Sequence, residues 1–373
     1  VPDQQRVIDH ERVSGPEFQT GPRAARLGVF GISATVAAVH VIGWGAVLGL
    51  ILPALVRSGA NPGPLLALSL SAYALGIRHA FDADHIAAID NAARQLVTRG
   101  RRSSSVGFWF ALGHSTVVLL AVLFIAAGAR SFTAGLTDDG SALRQVAGIW
   151  GGSISGVFLL AAGILNLPAL ASLRASRRRL RSGRPESHPD EITASLDRRG
   201  VLFRLLRPLT KLVDRPSRMY PVGFLFGLGL DTAASISLFA LAGTFTVGLP
   251  WYSVMVLPVL FTAGMTLFDT ADGVMVSRVY RWASSDSSRT LDYNIVMTSV
   301  SVALAFAIGV TGLLSVLAQI VGSGSVLSDM LGSLDMNILG IGAVIFFALV
   351  WMTTTLLRKA QTARTLRVAR SQF

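Results

Sequence analysis

The chain has 373 residues, of which 51% are hydrophobic and only 14% charged, with a mean hydropathy of +0.56, whereas soluble globular proteins carry roughly a quarter charged residues. An ordinary soluble domain is thereby excluded, and the absence of cysteine also excludes disulfides, thiolate metal sites and a cysteine nucleophile. A net charge of +12 does not mark a nucleic-acid binder here, because the basic residues lie between apolar segments without interleaved aromatics.

Taken in chain order, residues 1–26 read as a polar cytoplasmic tail, and they lack the apolar core of a cleaved secretory signal. Apolar runs of spanning length then follow at about 27–56, 64–92, 106–129 and 146–172. A strongly basic connection over 173–218 separates them from further runs at about 219–247, 251–278, 293–320 and 336–357, and a short tail closes the chain over 359–373. Roughly 20 apolar residues cross the hydrocarbon of a bilayer, and these segments are too long for barrel strands. The expected fold is therefore all-α: a polytopic membrane protein with eight transmembrane helices, grouped as 27–172 and 219–358 around the linker. With the N-terminus inside, every Lys and Arg except Arg57, Arg78, Arg130 and Arg144 falls on the cytoplasmic side, which puts both termini in the cytoplasm. The linker reads as a solvated tether near anionic headgroups. Gly148, Gly152 and Gly156, and likewise Gly223 and Gly227, recur every four residues and predict close helix contacts.

Ionisable residues inside spanning helices are costly and usually face a bundle interior or a pathway. The first helix carries His40, and the second carries Arg78, His79, Asp82, Asp84, His85 and Asp90 within RHAFDADHIAAIDN. His114 lies on the third, Asp231 on the fifth, and Asp269 and Asp272 on the sixth. Counted from the cytoplasmic ends, these groups converge in the inner half of the bundle. At about 100° per residue His79, Asp82, His85 and Asp90 share an arc of one helix while Asp84 points away. Either Asp84 serves another helix, for example by meeting Arg78, or the helix is unwound there. Imidazole nitrogen with carboxylate oxygen, and no sulfur, suits a borderline dication such as Ni²⁺, Co²⁺ or Zn²⁺.

Plainer roles compete for single residues. His40 suits packing or an outer position as well as ligation. Arg78 suits neutralising an aspartate better than touching a cation. Asp90 and Asp272 lie near the membrane edge, where capping or hydration would occupy them, and Asn166 reads as a helix-end residue.

At these residues the chain resembles the bacterial and fungal nickel/cobalt transporter (NiCoT) family. RHAFDADHI matches that family's histidine, four residues, then Asp-His, and FALGHSTVV (110–118), LGLDTA (228–233) and GMTLFDTAD (264–272) match further family motifs in order. The resemblance implies eight helices, a long central cytoplasmic loop and internal termini. It also implies that His79, Asp82, Asp84 and His85 are needed for transport, that His40 influences the choice between cobalt and nickel, and that His114, Asp231, Asp269 and Asp272 belong to the transport site. One departure stands out: Ala234 and Ser235 follow LGLDTA where the family usually has Thr and Glu, which removes a carboxylate from the fifth helix.

No phosphate-binding loop is present, because the two lysines, Lys211 and Lys359, follow Thr210 and Arg358 and not glycine. The expected function is therefore a secondary, non-ATP importer of Ni²⁺ or Co²⁺ in the cytoplasmic membrane, not an enzyme. It would need no cofactor and contact only the ion and membrane lipid, with no nucleic-acid partner and no specified oligomeric state. The competing readings are an efflux permease, for which the linker's single histidine, His188, is poor support, a membrane metalloenzyme, for which the histidines are too few, and a metal sensor without transport.

Overall fold

The structure is a computed structural model that describes residues 22–128, 135, 138, 140–182, 213–229, 236, 251–283 and 289–321, with single residues 342, 345, 349 and 352. The predicted segment over 336–357, most of that over 219–247 and most of the linker lie outside the described residues.

Helix α1 (Pro22–Gly45) continues through a π-helical turn, Ala46–Ile51, into α2 (Leu52–Arg57). The widened turn has a local cause. Pro53 supplies no N–H, and in a regular helix its ring would press on the carbonyl one turn back. Here the Leu52 N–H reaches back to the Val47 carbonyl, which opens the turn.

The second predicted segment is two helices. Helix α3 (Gly63–Ala80) stops at Phe81, and α4 (Ala83–Thr98) restarts after Asp82, whose backbone is extended at φ −66 and ψ 140. Phe81 and Asp82 close the end of α3 by donating their N–H groups to Arg78 and His79 carbonyls.

Helices α5 (Val106–Ala126) and α6 (Ala142–Arg181) follow, the latter capped by Ser141, which accepts from the Arg144 N–H at 3.2 Å. Helix α6 runs past the membrane boundary expected at residue 172, and Pro168 lies within it. Helix α7 (Met219–Gly227) precedes the undescribed stretch that holds Asp231. A 3₁₀ turn, Trp251–Met255, leads into α8 (Val256–Ala283), and α9 (Arg289–Val321) completes the described elements.

Helix α8 packs against α1, α3, α4 and α5, while α4 also packs against α6 and α9, and α6 lies along α9. Glycine permits the tightest crossings. A Cβ on Gly107 of α5 would overlap the Asp269 carbonyl of α8, and one on Gly223 of α7 would overlap the Phe110 carbonyl of α5. Gly152 and Gly156 face Val316 and Leu313 of α9, so the four-residue spacing marks a helix contact as expected.

Two apolar clusters fill the interior, one around Ile86, Ile89, Leu96 and Phe110, the other around Leu257, Leu260, Phe261 and Met265. The outer faces are also apolar: Phe30, Val41, Phe124 and Ile320 are more than half exposed. A surface of that kind is covered by lipid, not water. Among the described residues five helices are long and apolar enough to cross a membrane: Phe30–Arg57, Val106–Ala126, Ala142–Arg179, Ser253–Tyr280 and Asn294–Val321. The protein is all-helical and multi-pass.

Candidate metal site

The break between α3 and α4 creates the site. In an unbroken helix His79 and His85 would stand about 9 Å apart along the axis and about 120° apart around it. With Asp82 extended, the ends of two helices meet instead, and the two imidazole centroids are 4.7 Å apart. His114, from the middle of α5, completes a triangle at 4.7 Å from His79 and 4.9 Å from His85. One ring nitrogen from each of the three lies within 4.8 Å of the others. All three side chains are buried.

A carboxylate orients one of the rings and a second carboxylate stands beside another. His79 Nδ1 is 2.7 Å from Asp82 Oδ2, and His85 Nδ1 is 3.6 Å from Asp269 Oδ2 on α8. A carboxylate accepts, so Asp82 fixes the His79 proton on Nδ1 and turns the Nε2 lone pair toward the centre. There His79 Nε2 lies 2.9 Å from His114 Nε2. Two lone pairs cannot face each other at hydrogen-bond distance, so His114 Nε2–H donates to His79 Nε2. Phe110 and Phe261 pack edgewise and tilted on His85 and His79, at centroid distances of 4.8 and 5.6 Å, and keep the cluster dry.

The remaining sequence candidates fall in different places. Asp84 accepts on Oδ1 from the His85 N–H at 3.0 Å and on Oδ2 from Ser155 Oγ of α6 at 3.2 Å. Both alternatives posed by the sequence therefore hold: the helix is interrupted, and Asp84 serves another helix, through Ser155. His40 donates from Nδ1 to its own helix, the Val36 carbonyl at 2.8 Å, and its Nε2 accepts from Tyr73 Oη of α3 at 3.3 Å. It stands outside the triangle and is linked through Tyr73 to α3. Arg78 occupies the last turn of α3. Asp90 and Asn166 join a separate buried network, and Asp272 lies one turn beyond Asp269 on α8. Asp231, Ala234 and Ser235 lie outside the described residues.

Sequence reasoning missed Ser155 and Tyr73, each of which looked like one small or aromatic residue among many on an apolar helix. It also placed Arg94 among the charges of a cytoplasmic connection, whereas the side chain is buried and hydrogen-bonded to α8 and α9. The i, i+4 spacing of Asp90 and Arg94 was the available signal.

Three buried histidine nitrogens with neighbouring carboxylates can replace part of the hydration shell of a transition-metal dication. The comparisons agree in kind. A family model described as "NicO: High-affinity nickel-transport protein" matches residues 65–357. The chain is 43% identical over 348 residues to the nickel transporter NicT of Mycobacterium tuberculosis, covering 92% of each chain. It is 37% identical to the nickel transporter NixA of Staphylococcus aureus, over 87% of this chain and 93% of that one. It is also 35% identical to the cobalt transport protein NhlF of Rhodococcus rhodochrous, over 88% of this chain and 92% of that one. No solved structure matches the chain.

Proposed function

The chain belongs to the NicO family of high-affinity nickel-transport proteins, and we propose on that footing that it imports Ni²⁺ or Co²⁺ across the cytoplasmic membrane as a secondary transporter. The observation that carries the reading is the triangle of His79, His85 and His114, with ligand nitrogens within 4.8 Å of one another in the interior of an apolar bundle.

In the proposed site the three imidazoles are ligands. Asp82 holds His79 in its binding tautomer, and Asp269 stands 3.6 Å from His85, close enough to orient that ring or to ligate the ion itself. Two carboxylates also balance a dication, so the occupied site is near neutral and the cost of a charge in the membrane interior falls. Asp84 pins the first turn of α4 to α6, which keeps His85 aimed at the other two rings. Asp231, from the family motif LGLDTA, is proposed as a further ligand from the fifth helix, where Ser235 cannot replace the family's glutamate. His40 acts on metal choice through Tyr73, and Arg78 and Asp272 balance charge around the site.

The distribution of Lys and Arg supports eight spans with both termini inside. Inward movement of a dication releases roughly 4.6 kcal/mol at 100 mV, enough for more than thousandfold accumulation. ATP is therefore unnecessary, in keeping with the lack of a phosphate-binding loop. The test is uptake of ⁶³Ni²⁺ and ⁵⁷Co²⁺ at nanomolar concentration by cells expressing wild type or His79→Ala. Accumulation above vector that vanishes in the variant is expected; wild-type cells that hold less metal than vector controls would reverse the direction of transport.

A further inference from the structure

The helices that carry the three imidazoles are held in place by different means. Helix α3, which carries His79, crosses α8 at glycines on both sides: a Cβ on Gly76 would overlap the Phe261 carbonyl, and one on Gly264 would overlap the Tyr73 carbonyl. Helix α5, which carries His114, crosses α8 at Gly107 and α7 at Gly113 and Gly223 in the same way. Backbones that touch leave little room for sliding or rotation. Helix α4, which carries His85, contains no glycine, and the extended Asp82 uncouples it from the direction of α3. Every residue from His85 to Leu96 is buried, so α4 meets other side chains all round. Apolar contact of that kind is non-directional and does not by itself fix a register.

Hydrogen bonds supply what the backbone of α4 does not. The Tyr280 hydroxyl of α8 donates its proton to Asp90 Oδ1 at 2.6 Å and accepts from Arg94, one turn further along α4. Arg94 also donates to Thr298 Oγ1 and, at 2.8 Å, to Ser301 Oγ of α9, and Ser301 Oγ itself lies 3.0 Å from the Tyr280 hydroxyl. Thr298 and Ser301 direct their own protons to the Asn294 and Met297 carbonyls of α9, at 2.6 and 3.0 Å, which leaves their lone pairs to accept. Every hydroxyl of this junction therefore both donates and accepts, a pattern that specifies one register of α4 against α8 and α9. Further ties run to α6, from Asp84 to Ser155 and from Asn91 to Asn166, but α6 carries no histidine. Helix α8 is the one on which α3 and α5 are both seated, so the tie from α4 to α8 sets His85 relative to His79 and His114.

We propose that Tyr280 is a positioning residue of the metal site, acting through Asp90 and Arg94 to hold α4 at the register that brings His85 to the ion. The assignment rests on the three-histidine reading of that site. At 1.5 Å per residue Asp90 stands about 7.5 Å and Arg94 about 13.5 Å along α4 from His85. The helix between them is unbroken, so a slip or rotation at the junction is carried to the imidazole. His79 and His114 do not depend on the junction, because their helices are seated on glycine crossings. Tyr280 thus governs one ligand of the three.

The test measures ⁶³Ni²⁺ affinity by equilibrium dialysis on the purified full chain in detergent, for wild type, Tyr280→Phe, His85→Ala and the two combined. Tyr280→Phe keeps the ring, whose centre is 4.1 Å from the Arg94 guanidinium carbon, and removes only the shared hydroxyl. It is expected to weaken Ni²⁺ binding about tenfold, the low end of the losses that follow removal of an orienting partner, and to weaken it by less than about twofold once His85 is already alanine. An unchanged affinity in folded Tyr280→Phe protein, or the same loss in the His85→Ala background, would overturn the assignment, because a general loosening of the bundle does not depend on His85. Should Tyr280→Phe fail to fold, Ser301→Ala, which removes one acceptor from Arg94, takes its place in the same comparison with the same directions expected. Failure of the histidine site itself looks different, because His85→Ala alone would then leave the Ni²⁺ affinity at the wild-type value.

Discussion

His79 Nε2 and His114 Nε2, carried by different helices, stand 2.9 Å apart with Asp82 bound to the far nitrogen of the His79 ring. One proton therefore occupies the place at the centre of the triangle where a metal ion would go. Metal and proton compete for the same lone pair.

The first expectation follows from that competition. Ligation by His114 Nε2 requires that proton to move to His114 Nδ1, so Ni²⁺ should switch the His114 tautomer with little net proton release near neutral pH, and affinity should fall where falling pH protonates the imidazoles. Calorimetry in two buffers of different ionisation enthalpy measures any release. A binding heat nearly independent of the buffer is expected near neutral pH, and a strongly buffer-dependent heat would show that one of the two rings starts as an imidazolium.

Asp82→Asn keeps the shape of the side chain while removing the charged acceptor from His79 Nδ1. Loss of such an orienting partner typically weakens metal affinity by about 10–100-fold. The variant should fold and still bind, with a raised Kd. Unchanged affinity would mean that the ring orientation is set by packing against Phe261 instead.

Gly107→Ala places a methyl group against the Asp269 carbonyl, which no side-chain rotation relieves. Helix α5 must then move off α8, carrying His114 away from His85 and Asp269. Overpacking of this kind costs about 1–3 kcal/mol or more. A lower Tm in detergent together with weakened Ni²⁺ binding is expected, whereas Gly49→Ala, at a position with open space around it, should change neither.

Tyr73→Phe removes the hydroxyl from His40 Nε2 and leaves the histidine triangle untouched. It should therefore preserve one tight equivalent of metal while shifting the ratio of ⁶³Ni²⁺ to ⁵⁷Co²⁺ uptake in the same direction as His40→Ala. Opposite shifts in the two variants would separate His40 from Tyr73 and leave metal choice to other residues.

The parts of the fold legible in the sequence are those that touch lipid. Hydropathy reports exposure to the bilayer, so the runs at 106–129 and 293–320 mark α5 and α9 closely. The end of α6 was not legible for the same reason: Arg177, Arg178, Arg179 and Arg181 are too polar to read as a span but are good helix formers, and hydropathy registers only the first of these facts. The break at Phe81 and Asp82 carries no Gly or Pro, and what stands at the break is the pairing of Asp82 with His79, a contact that residue periodicity does not describe.

In the site, residue chemistry was legible and partnership was not. Buried His and Asp on several helices point to one centre, whereas the hydrogen bond of Asp84 to Ser155 of α6 is a contact between helices that the residue pattern does not describe. Asp90 shares an arc with His79 but stands too far along the axis to meet it, and its partner Tyr280 lies 190 residues away in the chain. Arg94 looked like a connection charge because its burial depends on α8 and α9 closing over it.

The central claim is that one dication is held by the imidazoles of His79, His85 and His114. Nickel K-edge X-ray absorption on the purified protein loaded with one equivalent of Ni²⁺ tests it most directly. The account predicts three imidazole scatterers with the rest of the shell oxygen, falling to two in His114→Ala. A shell of oxygen alone, or an imidazole count that His114→Ala leaves unchanged, would contradict it.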